Sequence, residues 1–216
     1  MSDIITGTKA KEIDRYAIDI LKIPSLTLME NASTKVADFC YSQYKLNNKI
    51  IVLSGVGNNG ADGICIARLL LQKNSNIDIE VIINGNLEKA SWEFLYQLSK
   101  YKEIGGKASY YKGEDLPDGD ILIDSLFGIG LLKTLRPDAQ ELVAKADRKN
   151  YKNVIAVDVP SGINSDTGDI MGAAIHANTT ITFGRNKTGL TAGLGSAYSG
   201  TVIVEDIGIP DKAYEI

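Results

Sequence analysis

The apolar run Lys49-Ile50-Ile51-Val52-Leu53-Ser54 passes straight into the glycine-rich turn Gly55-Val56-Gly57-Asn58-Asn59-Gly60-Ala61-Asp62-Gly63, which in turn opens an amphipathic stretch. A buried strand, a tight turn and a helix start in that order restrict the chain to folds built from βαβ units. Gly55, Gly57 and Gly60 spell G-x-G-x-x-G in the register of dinucleotide-binding turns, where the backbone must turn tightly and approach a phosphate. Asn58, Asn59 and Asp62 add two amides and a carboxylate, groups that can coordinate a ligand or an ion. The dinucleotide fingerprint also asks for an acid about 20 residues on, at the tail of the second strand. That strand, predicted over 78–83, ends instead in Asn84-Gly85-Asn86. The turn therefore argues for nucleotide-like binding and against an ordinary NAD dehydrogenase.

From Ile50 onward, strand and helix patterns alternate, the signature of a mostly parallel sheet covered on both faces, a three-layer α/β/α Rossmann-like sandwich. Strand 50–54 precedes a helix over 62–73, and strand 78–83 precedes a helix over 88–101 with Trp92, Leu95 and Leu98 as its expected inner anchors. Strand 120–124 precedes a helix over 137–149 facing inward through Ala139, Leu142, Val143 and Ala146. Strand 153–159 runs into Pro160-Ser161-Gly162, which cannot continue a ladder. Two more strands are expected at 179–183 and 201–206, separated by a loop over 184–200. An N-terminal helical pair precedes all of this: Ile13, Tyr16, Ala17, Ile20 and Leu21 form one stripe. Leu28, Ala32, Val36, Phe39 and Cys40 form another, ending near Asn47-Asn48. No repeat or linker divides the 216 residues, so one domain over 1–216 is expected.

Twenty-three basic residues against 27 acidic ones give a net charge of −4, with no Lys/Arg block, a poor footprint for nucleic acid or an anionic membrane. The amino-terminal stretch lacks the features of a signal peptide, and no apolar run approaches the roughly 18 residues of a membrane span. A cytoplasmic protein is expected. Cys40 and Cys65 fall in different helical patterns without a C-x-x-C or Cys/His cluster, so both are expected as buried reduced thiols.

Two apolar strands end alike, Ile121-Leu122-Ile123-Asp124 and Val154-Ile155-Ala156-Val157-Asp158. Ligands of open parallel sheets bind beyond the carboxyl ends of the strands, so both aspartates and the glycine turn should share one rim. Each aspartate can also be a helix cap or turn former. Gly128 and Gly130, in the loop Phe127-Gly128-Ile129-Gly130-Leu131-Leu132-Lys133-Thr134, permit close backbone approach to an anion. Lys187 faces a phosphate or is a solvated loop lysine, the second being expected. His176, the only histidine, is expected in solvent, and without a Ser/His/Asp set nucleophilic hydrolysis is disfavoured. Glu30, Asn31 and Thr34 either close the site from the second helix or serve as caps and surface.

The blocks MENAS, GVGNNGADG, DSLFGIGL, AVDVPSGINSDTG, TITFGRNKTGL and VEDIGIP, in this order across nearly the whole chain, resemble the NAD(P)H-hydrate epimerase family, also called the YjeF N-terminal domain. The resemblance implies a Rossmann-like sandwich, usually dimeric, that interconverts the R and S forms of hydrated NADH and NADPH (NADHX and NADPHX) and binds a potassium ion. By position it implies hydrate contacts at Asn58, Asn59, Gly60, Ala61, Asp62, the loop Gly128-Ile129-Gly130-Leu131-Leu132-Lys133-Thr134, and Asp158. Asn59, Asp124 and Ser161 match the potassium ligands. Ala61 stands where the family commonly has glycine, a change tolerated if its φ is negative. Many bacterial relatives continue into a dehydratase domain, so a separate NAD(P)H-hydrate dehydratase is the expected pathway partner.

The implied chemistry suits these residues. Inverting a carbinolamine carbon requires protonating the departing hydroxyl, stabilising a cationic or ring-opened species and returning oxygen to the other face. One carboxyl group that alternately donates and accepts a proton suffices, and Asp158 is the expected acid/base, with Asp124 occupied by the ion. The rival reading is a non-catalytic nucleotide- or protein-binding module of the same fold, as in decapping scaffolds and apolipoprotein-binding proteins. That reading expects an eroded polar rim or an added RNA-associated domain.

Overall fold

The computed structural model describes residues 4–44 and 48–216. Helices α1 (Gly7–Asp19) and α2 (Ser25–Gln43) follow a two-residue strand, β1 (Ile4–Ile5). Thr6 caps α1 by accepting the Lys9 N–H, as an N-cap hydroxyl does for an otherwise unpaired donor. The expected end of the second helix near Asn47 lies outside the described residues, and α2 itself ends at Gln43.

Alternation then runs as the sequence predicts, with one added strand, β4: β2 (Ile50–Ser54), α3 (Asn58–Lys73), β3 (Ile79–Ile83), α4 (Trp92–Glu103), β4 (Lys107–Tyr110), β5 (Ile121–Ser125), α5 (Pro137–Arg148), β6 (Asn153–Val157) and β7 (Thr179–Phe183). The expected loop over 184–200 holds a short strand, β8 (Asn186–Lys187), and two single-turn helices, α6 (Thr188–Thr191) and α7 (Gly195–Tyr198), before β9 (Thr201–Glu205). Seven strands form one parallel sheet in the order β4-β3-β2-β5-β6-β7-β9, while β1 and β8 pair in parallel beside it. Every residue of β2 and β5 is buried, the pattern of a strand covered on both faces.

Side-chain alternation divides those faces. Ile50 and Val52 join Ile79, Val81, Ile121 and Ile123 against the inner residues of α2, α3 and α4. Ile51 and Leu53 join Leu122, Val154 and Ala156 against Ala139, Leu142, Val143 and Ala146 of α5. Each fully buried Leu or Ile here contributes about 1.5–3 kcal/mol relative to exposure. A further cluster lies between the chain's two ends, where Ile13 and Ala17 of α1 and Leu28 and Ala32 of α2 meet Ile207, Ile209 and Ala213.

The inner face of α4 departs from expectation. Trp92 is 56% and Leu95 47% exposed, whereas Phe94, Leu98 and Tyr101 are buried. A 3-10 turn at Leu87–Lys89 interrupts the expected helix, and Ser91 restarts it by accepting the Phe94 N–H, which resets the helical phase. Strand β4 was not foreseen; it is a short, largely exposed edge without an apolar run. Both cysteines are free and buried, and burial pushes their thiols up to about 12. No helix among the described residues is long and apolar enough to cross a membrane.

Strand order sets the location of a site. From β2 the chain builds outward through β3 to β4, then returns to place β5 on the opposite side of β2. Between β2 and β5 the connections leave in opposite directions, and that divergence opens a crevice at the strands' carboxyl ends.

Candidate active site

A cavity of about 1180 Å³ occupies that crevice. It is lined by the turn after β2, the loop after β5, the end of β6 and one side of α1. Asn58, Asn59, Gly60 and Asp62 line it, as do Gly128, Ile129, Gly130, Leu131, Leu132, Lys133, Thr134 and Asp158. Ala61 is the exception: it is fully buried and packs into the sheet–helix core, so its side chain does not reach the cavity. Its φ is not positive, which removes the concern over a non-glycine residue there.

The turn itself is shorter than expected. Gly57, in an extended conformation, is the N-cap, and α3 begins at Asn58, four residues before the predicted Asp62. Asn58 and Asn59 therefore belong to the first helical turn, whose N–H groups lack intrahelical acceptors and form an anion-binding end. A Cβ on Gly60 would sit 1.8 Å from the Gly55 carbonyl oxygen, and one on Gly55 would sit 2.2 Å from that of Leu126. These glycines are required by backbone packing of the turn, which Ser54 Oγ also ties down through the carbonyls of Gly55 and Gly60. At Gly57 a Cβ would meet nothing within 4 Å, so that position faces open space, where a ligand can approach.

Asp158 follows β6 with φ +68, a left-handed conformation uncommon for any residue but glycine, asparagine or aspartate. Its N–H still reaches the Ile181 carbonyl, so the backbone leaves the ladder only after that bond. The carboxylate accepts the Thr182 hydroxyl at 2.9 Å and pairs with Lys187 Nζ at 2.8 Å. Lys187 also donates to Thr182 Oγ1 at 2.9 Å and to the Phe183 carbonyl at 2.7 Å. With 2% exposure it is not the solvated loop lysine expected from the sequence. The loop folds back as β8, which pairs with β1 and inserts the ammonium beneath the sheet end.

Asp124 and Ser161 lie behind the cavity wall, both fully buried. Asp124 accepts the Ser161 N–H at 2.7 Å, the Ser161 hydroxyl at 2.5 Å and the Leu126 N–H at 3.3 Å. Burial pushes its carboxyl up to about 6, with hydrogen bonds from Ser161 and Leu126 opposing. Among the described residues no side-chain cation pairs with it. Asn59 Nδ2 is buried without a hydrogen-bond partner. Turning that amide over exchanges nitrogen and oxygen, so the unpartnered position is as available to an acceptor as to a donor. A buried carboxylate lacking a counter-charge, a hydroxyl on that carboxylate and an unsatisfied amide make an oxygen set that fits a hard monovalent cation.

The structure also brings Asp14 and Thr182 to the site, neither of which the sequence marked. Asp14, on α1, lines it, and burial followed by the nearby Asp158 charge pushes its carboxyl up to about 6 against the pull of Lys187. Asp62 is pushed well above the ordinary carboxylate range, by burial first and then by Asp158, Asp14 and Glu93, with a hydrogen bond from Ser33 opposing. Thr182 is fully buried in β7, and the alternation of Thr180 and Thr182 in that strand was its only sequence signal. Lys11, Arg15, Lys89, Lys133 and Arg136 also line the cavity and are exposed, so bases other than the buried Lys187 gather at its mouth. Glu30 pairs with Arg68, Asn31 donates to the Ile207 carbonyl and Thr34 to the Glu30 carbonyl, and none of the three lines the cavity. His176 is exposed, as expected, and stacks on Tyr198 beside Asp147.

A parallel sheet with a glycine turn and a carboxylate-lined cavity at its switch point defines a Rossmann-like α/β protein with a nucleotide-sized pocket. The profile described as "YjeF-related protein N-terminus" matches residues 25–189, and this chain belongs to that family. A Leuconostoc citreum protein named NAD(P)H-hydrate epimerase is 40% identical over 207 residues, covering 95% of this chain and 90% of its own. The Limosilactobacillus fermentum protein of that name is 43% identical over 204 residues, covering 94% and 95%. The crystal structure of the yeast protein YNL200c superposes with a TM-score of 0.76 over 87% of this chain and 83% of its own, at 20% identity, which establishes the shared fold.

Proposed function

We infer that this chain is an isomerase that interconverts the R and S epimers of hydrated NADH and NADPH. The observation that carries the reading is the pairing of a nucleotide-sized cavity at the sheet's switch point with Asp158 inside it, in a chain about 40% identical over nearly its full length to proteins named for that activity. The exposed bases around the cavity suit the pyrophosphate, while the enclosed carboxylates suit a cationic nicotinamide-derived ring. The polar rim is intact, which disfavours the non-catalytic module. Missing the ribose-binding acid disfavours a dehydrogenase.

In this reading Asn58, Asn59, Gly60 and Asp62, with the loop over 128–134, hold and orient the hydrate. Asp158 handles the proton at the hydroxyl-bearing ring carbon, beside the ring nitrogen whose lone pair helps expel the hydroxyl. Lys187 and Thr182 fix the rotamer of Asp158 from behind. We further propose potassium at Asn59, Asp124 and Ser161; when bound it supplies positive charge that orders the two loops. Asp124 and Ser161 position the loop after β5 through the Leu126 and Phe127 N–H groups. One domain over 1–216, a cytoplasmic homodimer and a separate dehydratase that consumes the hydrate complete the proposal.

The test is incubation of the purified protein with one epimer of hydrated NADH, followed by chiral chromatography, with potassium present or replaced by sodium. Interconversion without any redox partner is expected. Hydride transfer to an acceptor with no interconversion would overturn the reading.

A further inference from the structure

Epimerisation needs one proton delivered to the departing hydroxyl and one taken from the water that returns. Asp158 is ion-paired with Lys187 and accepts the Thr182 hydroxyl, an arrangement suited to receiving a proton rather than supplying it. A second carboxyl lies in the same cavity on a different wall. Asp14 belongs to α1, outside the sheet, and has no hydrogen-bond or ion-pair partner among the described residues. The charged and titratable groups that face it are Asp158 and Lys187 at the sheet end, Asp62 on α3, and Tyr214 in the C-terminal turn. On its own helix, Lys11 and Arg15 line the cavity mouth. Its surroundings hold a proton on Asp14 up to about pH 6, two units above an ordinary aspartate, which suits a donor working near neutrality.

We propose that Asp14 is a second catalytic carboxyl, donating the proton to the departing hydroxyl while Asp158 receives the proton of the incoming water. The proposal rests on the epimerase reading and specifies its proton path. Asp14 transfers its proton to the hydroxyl, the C–O bond breaks with its electron pair, and water departs. The ring-nitrogen lone pair closes a C=N bond, giving a cationic imine. Water then adds to the other face of that carbon, the C=N pair returns to nitrogen, and the surplus proton passes to Asp158. Solvent returns a proton to Asp14 and removes one from Asp158, so turnover consumes neither protons nor a redox partner. Asp62 is the rival donor, but burial and the Asp158 and Asp14 charges push its carboxyl well above the ordinary carboxylate range, so it yields a proton less readily than Asp14.

The experiment compares wild type, Asp14→Asn and Asp62→Asn, as full chains, on one purified epimer of hydrated NADH between pH 5.5 and 8.5, with the spontaneous rate subtracted. For Asp14→Asn, kcat should fall about 100-fold while KM stays within about threefold. Wild-type kcat/KM should decline as pH rises above about 6, because the donor loses its proton, and that limb should vanish in Asp14→Asn. Removing a carboxyl that burial disfavours should leave the variant's melting temperature at pH 7.5 no lower than wild type. A wild-type rate in Asp14→Asn overturns the proposal, as does a reduced rate with the alkaline limb intact, or loss of that limb in Asp62→Asn alone. Should Asp14→Asn fail to fold, Asp14→Glu decides: a displaced limb with partial activity supports the proposal, and an unmoved limb overturns it. Wild-type protein that interconverts nothing refutes the epimerase reading instead.

Discussion

Asp124 and Asp158 lie at the carboxyl ends of neighbouring parallel strands, each after an apolar run, yet the fold treats them in opposite ways. Asp124 stays in the ladder opposite Leu53 and Ala156, sealed from the cavity, surrounded by hydrogen-bond donors and without a cation among the described residues. Asp158 leaves the ladder through a left-handed residue, reaches the cavity and gains a buried lysine. A strand-end aspartate acquires its role from the backbone that follows it. Ser125 continues the strand, whereas Val159-Pro160 forces a turn that swings Asp158 outward.

The largest effect should separate the two aspartates directly. Asp158→Asn keeps a residue that tolerates positive φ and removes the proton-accepting carboxylate, so kcat should fall by about 100-fold or more while hydrate binding persists. Near-normal initial rates by chiral chromatography would exclude Asp158 from proton transfer.

Next in size is Lys187→Met, which strips the cation from one side of the comparison. Breaking a buried pair costs about 3–5 kcal/mol, read as a drop in the denaturant midpoint, and turnover should fall about tenfold as the Asp158 rotamer loosens. Combined with Asp158→Asn, the two losses should be strongly non-additive. Additivity would mean that the lysine acts on something else.

Asp124→Asn should leave turnover in saturating hydrate closer to wild type and act on the ion. Wild-type protein is expected to melt a few degrees higher in potassium than in sodium, about the shift that 1–2 kcal/mol of ligand binding produces, and the variant should lose that difference. Equal potassium responses in both proteins would remove the proposed site. The smallest effect is expected for Gly128→Ala, whose added Cβ would lie 2.9 Å from Asn59 Oδ1 and force that side chain to shift, at about 1 kcal/mol. A weakened potassium response with near-normal stability is the outcome to look for by melting curves.

Much of this arrangement was legible in the residues because fully buried strands are apolar throughout and glycines mark where backbone crosses backbone. The strand ends, the glycine turn, the inner positions of α5 and the approach at Gly128 and Gly130 could be placed that way, whereas the rest of the loop to Thr134 came from the family resemblance. What escaped reading depends on tertiary contact. Lys187 sits in a polar loop, and nothing local indicates that β8 will pair with β1, 182 positions earlier in the chain, and bury it. Asp14 lies beside the apolar stripe of α1, a position that usually faces water, and only the placement of that helix over the strand ends turns it inward. On α4, Trp92 and Leu95 drew the predicted face by their size, but the cap at Ser91 gave the inner positions to Phe94, Gln97, Leu98 and Tyr101.

The cluster that joins Ile13 and Ala17 to Ile207, Ile209 and Ala213 has a consequence in time. During synthesis α1 emerges well before these packing partners, which lie nearly 200 residues further along the chain. At about 5–20 residues per second, on the order of ten seconds or more separate the two. Over that interval the nascent chain already carries β2 to β6, the glycine turn and Asp158, but the wall bearing Asp14 has nothing to dock against on that side. The pairing of β1 with β8 is delayed in the same way, and with it the burial of Lys187. A chain short of these residues therefore exposes the strand ends to solvent without either the donor wall or the buried lysine, and the pocket closes only once residues 207–213 have emerged.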